Sequence, residues 1–177
     1  AVAKGIRQTL GRDSREAAAK VGIKWPNDIV VDGKKVCGIL TEMSMEQGYI
    51  QHIVIGVGIN VRKQEFPEEI RDRAAAIEEQ CGFRISRSQL IADIMEAFEE
   101  DYEIFLQTHD LKGLRDSYAK LLLNQDREVC VLDPKGEYRG IARGINDQGE
   151  LIVERQDGTV EEVYAGEVSV RGVYGYV

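Results

Sequence analysis

The sequence predicts an α+β protein: a sheet with flanking helices, followed by a small β-barrel of the SH3-like kind. Three observations carry this. Short β-like runs separated by tight-turn signals occupy residues 21–61, one long amphipathic helical pattern follows Ser86, and the period switches to two after about Asn124. The switch divides the chain into 1–123 and 124–177.

Val2, Ile6 and Leu10 recur at spacing four and stop at Gly11, which predicts a first helix; a second short helix covers Ser14 to Lys20. "VGIKW" reads as a strand halted by Pro26. "DIVV" and "KKVCGILTEM" flank Asp32-Gly33, a strong two-residue hairpin signal. Gln47-Gly48 marks the next turn. The apolar centre of "YIQHIVIGVGINV", Ile53 to Ile59, predicts a strand buried on both faces. The charged, proline-containing stretch from Arg62 reads as a loop, then a short helix ending at Gly82. In "SRSQLIADIMEAFEEDYEIFLQ", Ser86 and Gln89 match a capping box, and Leu90, Ile91, Ile94, Met95, Phe98, Tyr102 and Phe105 form a stripe expected in the core. A further helix is expected from Lys112 to Leu123. "EVCVLD", "YRGIARGI", "ELIVERQ", "VEEVYAG" and "VSVRGV" then read as barrel strands separated by "DPKG", "NDQG" and "QDG".

A net charge of −8 argues against non-specific nucleic-acid binding but leaves room for an anion in a local pocket. Three scattered cysteines, with no CxxC or Cys/His cluster, indicate neither a disulfide framework nor a zinc site and fit a reducing, cytoplasmic setting. No apolar run approaches bilayer length, so no membrane partner is expected. The opening "AVAKGIRQTLG" has no initiator Met and reads as the interior of a longer chain.

Polar groups concentrate in one hairpin. Asp28 and Lys35 lie on strands joined at Asp32-Gly33, and an Asp near a Lys fixes the ammonium and keeps it charged. Gly38 follows, and Gly56 and Gly58 share a face of the third strand. Glycine weakens strand interiors, so three of them on neighbouring strands suggest a ligand lying on the sheet. Each signal alone has a plain alternative. Lys34 and Lys35 also fit a solvated turn, Asn27-Asp28 a cap pair, and "GVGIN" lacks the third glycine of a dinucleotide fingerprint.

In their order and spacing, "KWPNDI", "GKKVCGILTE" and "GVGIN" closely resemble the catalytic domain of biotin protein ligases, and "YRGIARGINDQGELIVERQDG…GEVSVR" resembles that family's C-terminal domain. "KVCGILTEM" is especially similar to ligases of the bifunctional repressor type. The resemblance covers nearly the whole chain. It implies a class II synthetase-like mixed sheet with helices. The implied activity is ATP-dependent formation of biotinyl-5′-AMP, with Mg²⁺, and transfer of biotin to a lysine of the biotin carboxyl carrier domain of acetyl-CoA carboxylase or a related carboxylase. It further implies a homodimer, with DNA bound only through an N-terminal domain outside this chain.

By the same resemblance Lys35 is the catalytic cation, Lys34 a decoy and Lys24 a rival. Asp28 orients Lys35 or manages Mg²⁺ and the phosphates. Gly38, Leu40, Gly56 and Gly58 line the biotin slot with Lys35, and Asn27, Asn60 and Arg171 serve the nucleotide. Residues 62–76 match the loop that orders over adenine. The family's Gly/Arg-rich loop, roughly G-R-G-R-x-G-R, has no counterpart here. The matching segment would precede residue 1, so the chain is expected to make little biotinyl-AMP alone. A biotinyl-AMP-sensing, dimerisation or adaptor module without activity is the rival reading. His52 and His109 are expected to be surface or packing residues.

Overall fold

The computed structural model describes residues 1–46, 48–133 and 136–164, and the backbone of 169–172. Helix α1 (Val2–Gly11) and short α2 (Arg15–Ala19), capped by Ser14, lead into four strands: β1 (Val21–Lys24), β2 (Asp28–Val31), β3 (Lys34–Glu46) and β4 (Tyr49–Ile59). They form an antiparallel meander in sequence order. Among the described residues, parallel pairing, which the expected mixed sheet called for, enters as two isolated bridges, Ile23 with Leu122 and Lys35 with Ala74. Asp32 and Gly33 both take positive φ, 50° and 78°, as the two-residue β2–β3 turn requires. Gly48 also has positive φ in the β3–β4 turn, while Gln47 lies outside the described residues.

The register sorts side chains into two faces. Ile23, Ile29, Cys37 and Ile59 form a row across all four strands, facing a core that includes Val2, Ile6 and Leu10 of α1. One residue along, Lys24, Asp28, Gly38 and Gly58 form a row on the opposite face. This second row is the floor of the candidate site.

A 3-10 turn (Glu68–Ile70) and α3 (Ile77–Cys81) follow, with Gly82 left-handed at the helix end. The long α4 (Arg87–Thr108) packs on α1. Buried Asp93 is the main lock between them, accepting from Thr9 at 2.6 Å, from both guanidinium nitrogens of Arg12 and from Gln89 at 2.9 Å. The Ser86 hydroxyl accepts from the Gln89 amide, but the Gln89 side chain goes to Asp93, so only half of the capping box forms.

Helix α5 (Arg115–Ala119) is shorter than expected and gives way to turns before Leu123. Strands β5 (Glu128–Leu132), β6 (Tyr138–Ile145), β7 (Leu151–Arg155), β8 (Val160–Val163) and β9 (Ser169–Gly172) form a second antiparallel sheet in the order β8-β7-β6-β5-β9. This five-stranded sheet is consistent with the SH3-like expectation, and no pairing closes it into a barrel among the described residues. Pro134 and Lys135 of the expected "DPKG" turn lie outside those residues.

Two burial expectations fail. β4 is exposed along nearly its whole length, with Ile53 at 53% exposure, because it is the sheet edge and nothing described covers it. On α4 only Leu90 of the expected stripe is buried, with Ile94 packed beside it. Ile91, Met95, Phe98, Tyr102 and Phe105 are exposed, because α1 covers the neighbouring face that carries Asp93 and Ala97.

Candidate functional site

The site begins with an irregularity that spacing alone does not reveal. Between Ile29 and Val30 the β2–β3 register slips: Ile29 pairs with Cys37 but Val30 with Lys35, leaving Val36 as an extra, buried residue. In a regular strand Lys35 and Gly38 would point to opposite faces. The bulge turns both to the floor face, where Asp28 already stands opposite Gly38.

The Lys35 Nζ consequently lies 2.5 Å from Asp28 Oδ1. The Lys35 side chain is 38% exposed and Asp28 only 11%, so the carboxylate is sunk in the floor and the ammonium above it remains reachable. A Cβ on Gly38 would sit 3.3 Å from both the Lys35 Cε and Nζ, so the glycine leaves the ammonium its place. Gly58 pairs with Gly38, and Gly56 with Leu40, which continue the open floor along β3 and β4. Lys24, opposite Asp28 on β1, is buried where Lys35 is accessible.

The backbone around Lys35 is held firmly. Its N–H donates to the Arg73 carbonyl at 2.7 Å and its C=O accepts from Ala75 at 2.9 Å. This places the loop after β4 beside the lysine. Lys35, Asn60, Phe66, Ile70, Arg73 and Ala74 line a cavity of about 570 Å³ there. Asn60 is pinned through its backbone to Val36 and Ile77, and its side-chain carbonyl accepts from Gln64. Asn27 donates its side-chain amide to the Ile39 carbonyl at 2.9 Å, tying the β1–β2 turn to β3. Beneath the floor, burial pushes the Cys37 thiol up to about 11, reinforced by the Asp28 charge and partly offset by Lys35.

Of the residues singled out in the sequence, Lys35, Asp28, Gly38, Leu40, Gly56 and Gly58 share one face, and Asn60 lines the adjoining cavity. Asn27 is in the turn at its edge. The backbone of Arg171 pairs with Cys130 in β9, and its side chain lies outside the described residues. Sequence reading took Phe66, Ile70 and Arg73 only as part of the segment 62–76 and not individually, because their loop has no periodicity. Its one proline and "EFPEEI" were the available signals. Among the described residues no group of three or more His, Cys, Asp or Glu could hold a metal, and no helix is long and apolar enough to cross a membrane.

An accessible ammonium paired with a sunken carboxylate thus stands over a glycine floor, ahead of a second small sheet. Two family models match: the Biotin/lipoate A/B protein ligase family over residues 1–60 and the Biotin protein ligase C terminal domain over residues 126–171. The chain is 38% identical to the Bifunctional ligase/repressor BirA of Bacillus spizizenii, over 88% of this chain and 48% of that protein. It is 31% identical to BirA of Escherichia coli, over 97% and 54%. Among solved structures, the apo biotin protein ligase of Aquifex aeolicus superposes with a TM-score of 0.76 at 27% identity, over 97% of this chain and 73% of that one. The same enzyme in complex with biotin and ATP gives 0.71 at 28%, over 96% and 72%. The chain is similar to biotin protein ligases along nearly its whole length, and it spans about half the length of the curated relatives it matches.

Proposed function

We propose that this chain carries the lysine-bearing part of the adenylation site, together with the C-terminal domain, of a biotin protein ligase. In the first step a biotin carboxylate oxygen bonds to the α-phosphorus of ATP, the bond to the β-phosphate breaks, and pyrophosphate leaves. In the second, a lysine amine of a carboxylase carrier domain attacks the acyl carbon and AMP leaves. The observation that carries the reading is the Lys35–Asp28 pair above Gly38 and Gly58, which supports a fixed positive charge where carboxylate and phosphate meet.

Lys35 steadies the charge that builds on the phosphoryl oxygens, and Asp28 holds it in place. Gly38, Leu40, Gly56 and Gly58 accommodate biotin, while Asn27, Asn60 and Arg171 serve the nucleotide. The cavity beside Phe66 and Arg73 suits the adenine end, with residues 62–76 closing over it to exclude water. With no metal cage among the described residues, Mg²⁺ would be held with the ATP phosphates, Asp28 beside Lys35 being a carboxylate that could assist. The division at residue 124, a cytoplasmic homodimer and DNA binding through a separate N-terminal domain complete the proposal.

The uncovered apolar edge of β4 and the bare stripe of α4 support a further part of the same protein packing there, which also supplies the Gly/Arg-rich loop. Residues 1–177 alone then form little biotinyl-AMP. The test of the main reading is pyrophosphate release by the complete protein bearing Lys35→Ala. A fall of about 10²–10³-fold in kcat with an unchanged melting temperature is expected. A folded, fully active variant refutes the role of Lys35 and moves it to Lys24.

A further inference from the structure

We propose that Trp25 is a positioning residue for the adenylation site, through which the β6–β7 turn of the second sheet holds Asp28 and Lys35 in register. The catalytic consequence rests on the ligase reading above; the structural consequence does not.

Trp25 belongs to the β1–β2 turn, yet its ring lies in the core of the other sheet with Leu122, Val129, Ala142, Ile145 and Leu151. It is 2% exposed. Its indole N–H donates to the Gly149 carbonyl at 3.0 Å. That acceptor is itself fixed. The Asn146 side-chain carbonyl accepts from the amides of Gln148 and Glu150 at 3.0 Å each, and its amide donates to the Glu150 carboxylate at 2.6 Å. The Asp147 carbonyl accepts from the Leu111 amide at 2.8 Å, and its carboxylate from Arg115 at 2.9 Å. The turn is therefore a rigid socket that presents one carbonyl to one indole.

The chain leaves Trp25 directly for the site. Asn27 exchanges two hydrogen bonds with Ile39, backbone carbonyl to amide at 3.0 Å and side-chain amide to carbonyl at 2.9 Å. Asp28 comes next, opposite Gly38 and bonded to Lys35. The β1–β2 turn is thus tethered at one end to the second sheet and at the other to β3. Freeing the first tether lets the turn rock, and Asp28 sits at its exit. A displacement of about 1 Å in a reacting group costs on the order of 100-fold in rate, so a tether of this kind has leverage.

The test uses the complete protein with two variants. Trp25→Phe keeps most of the ring and deletes the N–H, while Asn146→Ala loosens the acceptor turn without touching Trp25 or the site. The first readout needs no substrate: trace acylation of lysines, with Lys35 measured against Lys34 by peptide mass spectrometry. A Lys35 Nζ released from contact with the Asp28 carboxylate is open to the reagent on more sides, so the Lys35 to Lys34 ratio rises about threefold or more in both variants. The second is pyrophosphate release. kcat falls roughly tenfold, the rate equivalent of one net hydrogen bond, with little change in the KM for biotin. Combined with Asp28→Asn, Trp25→Phe adds little further loss, since both act through Lys35. If both variants melt earlier but label Lys35 and turn over like the parent, Trp25 is a core filler and the proposal is overturned. If Trp25→Phe does not fold, Asn146→Ala decides alone. Should the parent itself release no pyrophosphate with biotin and ATP, the ligase reading fails while the labelling ratio still decides the positioning role.

Discussion

Gly58→Ala separates a floor built for a ligand from a floor that is merely thin. A Cβ at Gly58 would meet only the Gly38 carbonyl oxygen, at 3.8 Å, an ordinary contact; at Gly56 it would meet the Leu40 carbonyl at 3.6 Å. Neither methyl clashes with the protein, and alanine in a strand interior is about 0.5–1 kcal/mol more favourable than glycine. Both variants are therefore expected to melt at or slightly above the parent temperature. Both faces of β4 are exposed, so any loss of binding comes from what lies on the floor. A methyl intruding on a close-fitting ligand costs about 1–3 kcal/mol, roughly 5- to 150-fold in affinity. Calorimetric titration of the complete protein with biotin reads this directly, with a melting scan on the same sample. If both variants bind biotin as the parent does, the ligand does not lie on this face and the site assignment fails.

Three further outcomes follow from the same geometry. Arg12, with help from Thr9 and Gln89 and against the burial penalty, holds the Asp93 carboxyl at about 2. A depressed carboxylate contributes stability above its ordinary value near 3.8 that is lost as pH falls through about 2. Asp93→Asn is expected to destabilise by on the order of 1–2 kcal/mol at neutral pH, allowing for solvent around half-exposed Arg12, with the difference shrinking towards pH 2 in denaturant titrations; an equal loss at both pH values would exclude the carboxylate charge as the cause. Cys37, buried and raised to about 11, should resist iodoacetamide at pH 8 until denaturant is added, and alkylation at the rate of a free thiol would contradict its place under the floor. Gly22→Ala puts a Cβ within 2.4 Å of the Leu123 side chain, so a loss of about 1–3 kcal/mol in stability is expected with biotin affinity unchanged; a stable variant would show that the 121–123 segment packs elsewhere.

How far the sequence could be read depended on whether a feature is local. Asp32-Gly33 specified its turn because both positive φ angles belong to residues that tolerate them. Ser86 and Gly82 marked helix ends for equally local reasons. Gly56 and Gly58 of β4 could be placed on one face because the period of two needs no tertiary knowledge, whereas bringing Gly38 to that face needs the β3–β4 register. The burial of β4 and α4 was misjudged because an apolar run reports what a surface requires, and only the full assembly says what covers it. Trp25 was legible as the end of a strand, but its burial 124 residues away in sequence against Gly149 was not, since no local pattern encodes it.

The bulge at Val36 is the step on which the chemistry turns. Without it, the alternation of β3 would send Lys35 to the face of α1, into an apolar core where an ammonium is costly. With it, one extra residue converts a strand that would bury a charge into one that presents it. The extra residue is itself Val36, fully buried in that core, so the bulge is held by apolar packing and does not depend on the ion pair. This predicts an order of dependence. Removing the Asp28 charge frees Lys35 to move but leaves it on the floor face, whereas disturbing Val36 threatens the face on which the lysine emerges. Val36→Ala, a cavity-forming change at a residue that touches no ligand, should therefore lower kcat by more than its loss of stability explains, while Val30→Ala, opposite Lys35 and equally buried, should cost stability with a smaller loss of rate. Equal rate losses in the two variants would mean that the bulge is incidental and that the ion pair alone sets the direction of the ammonium.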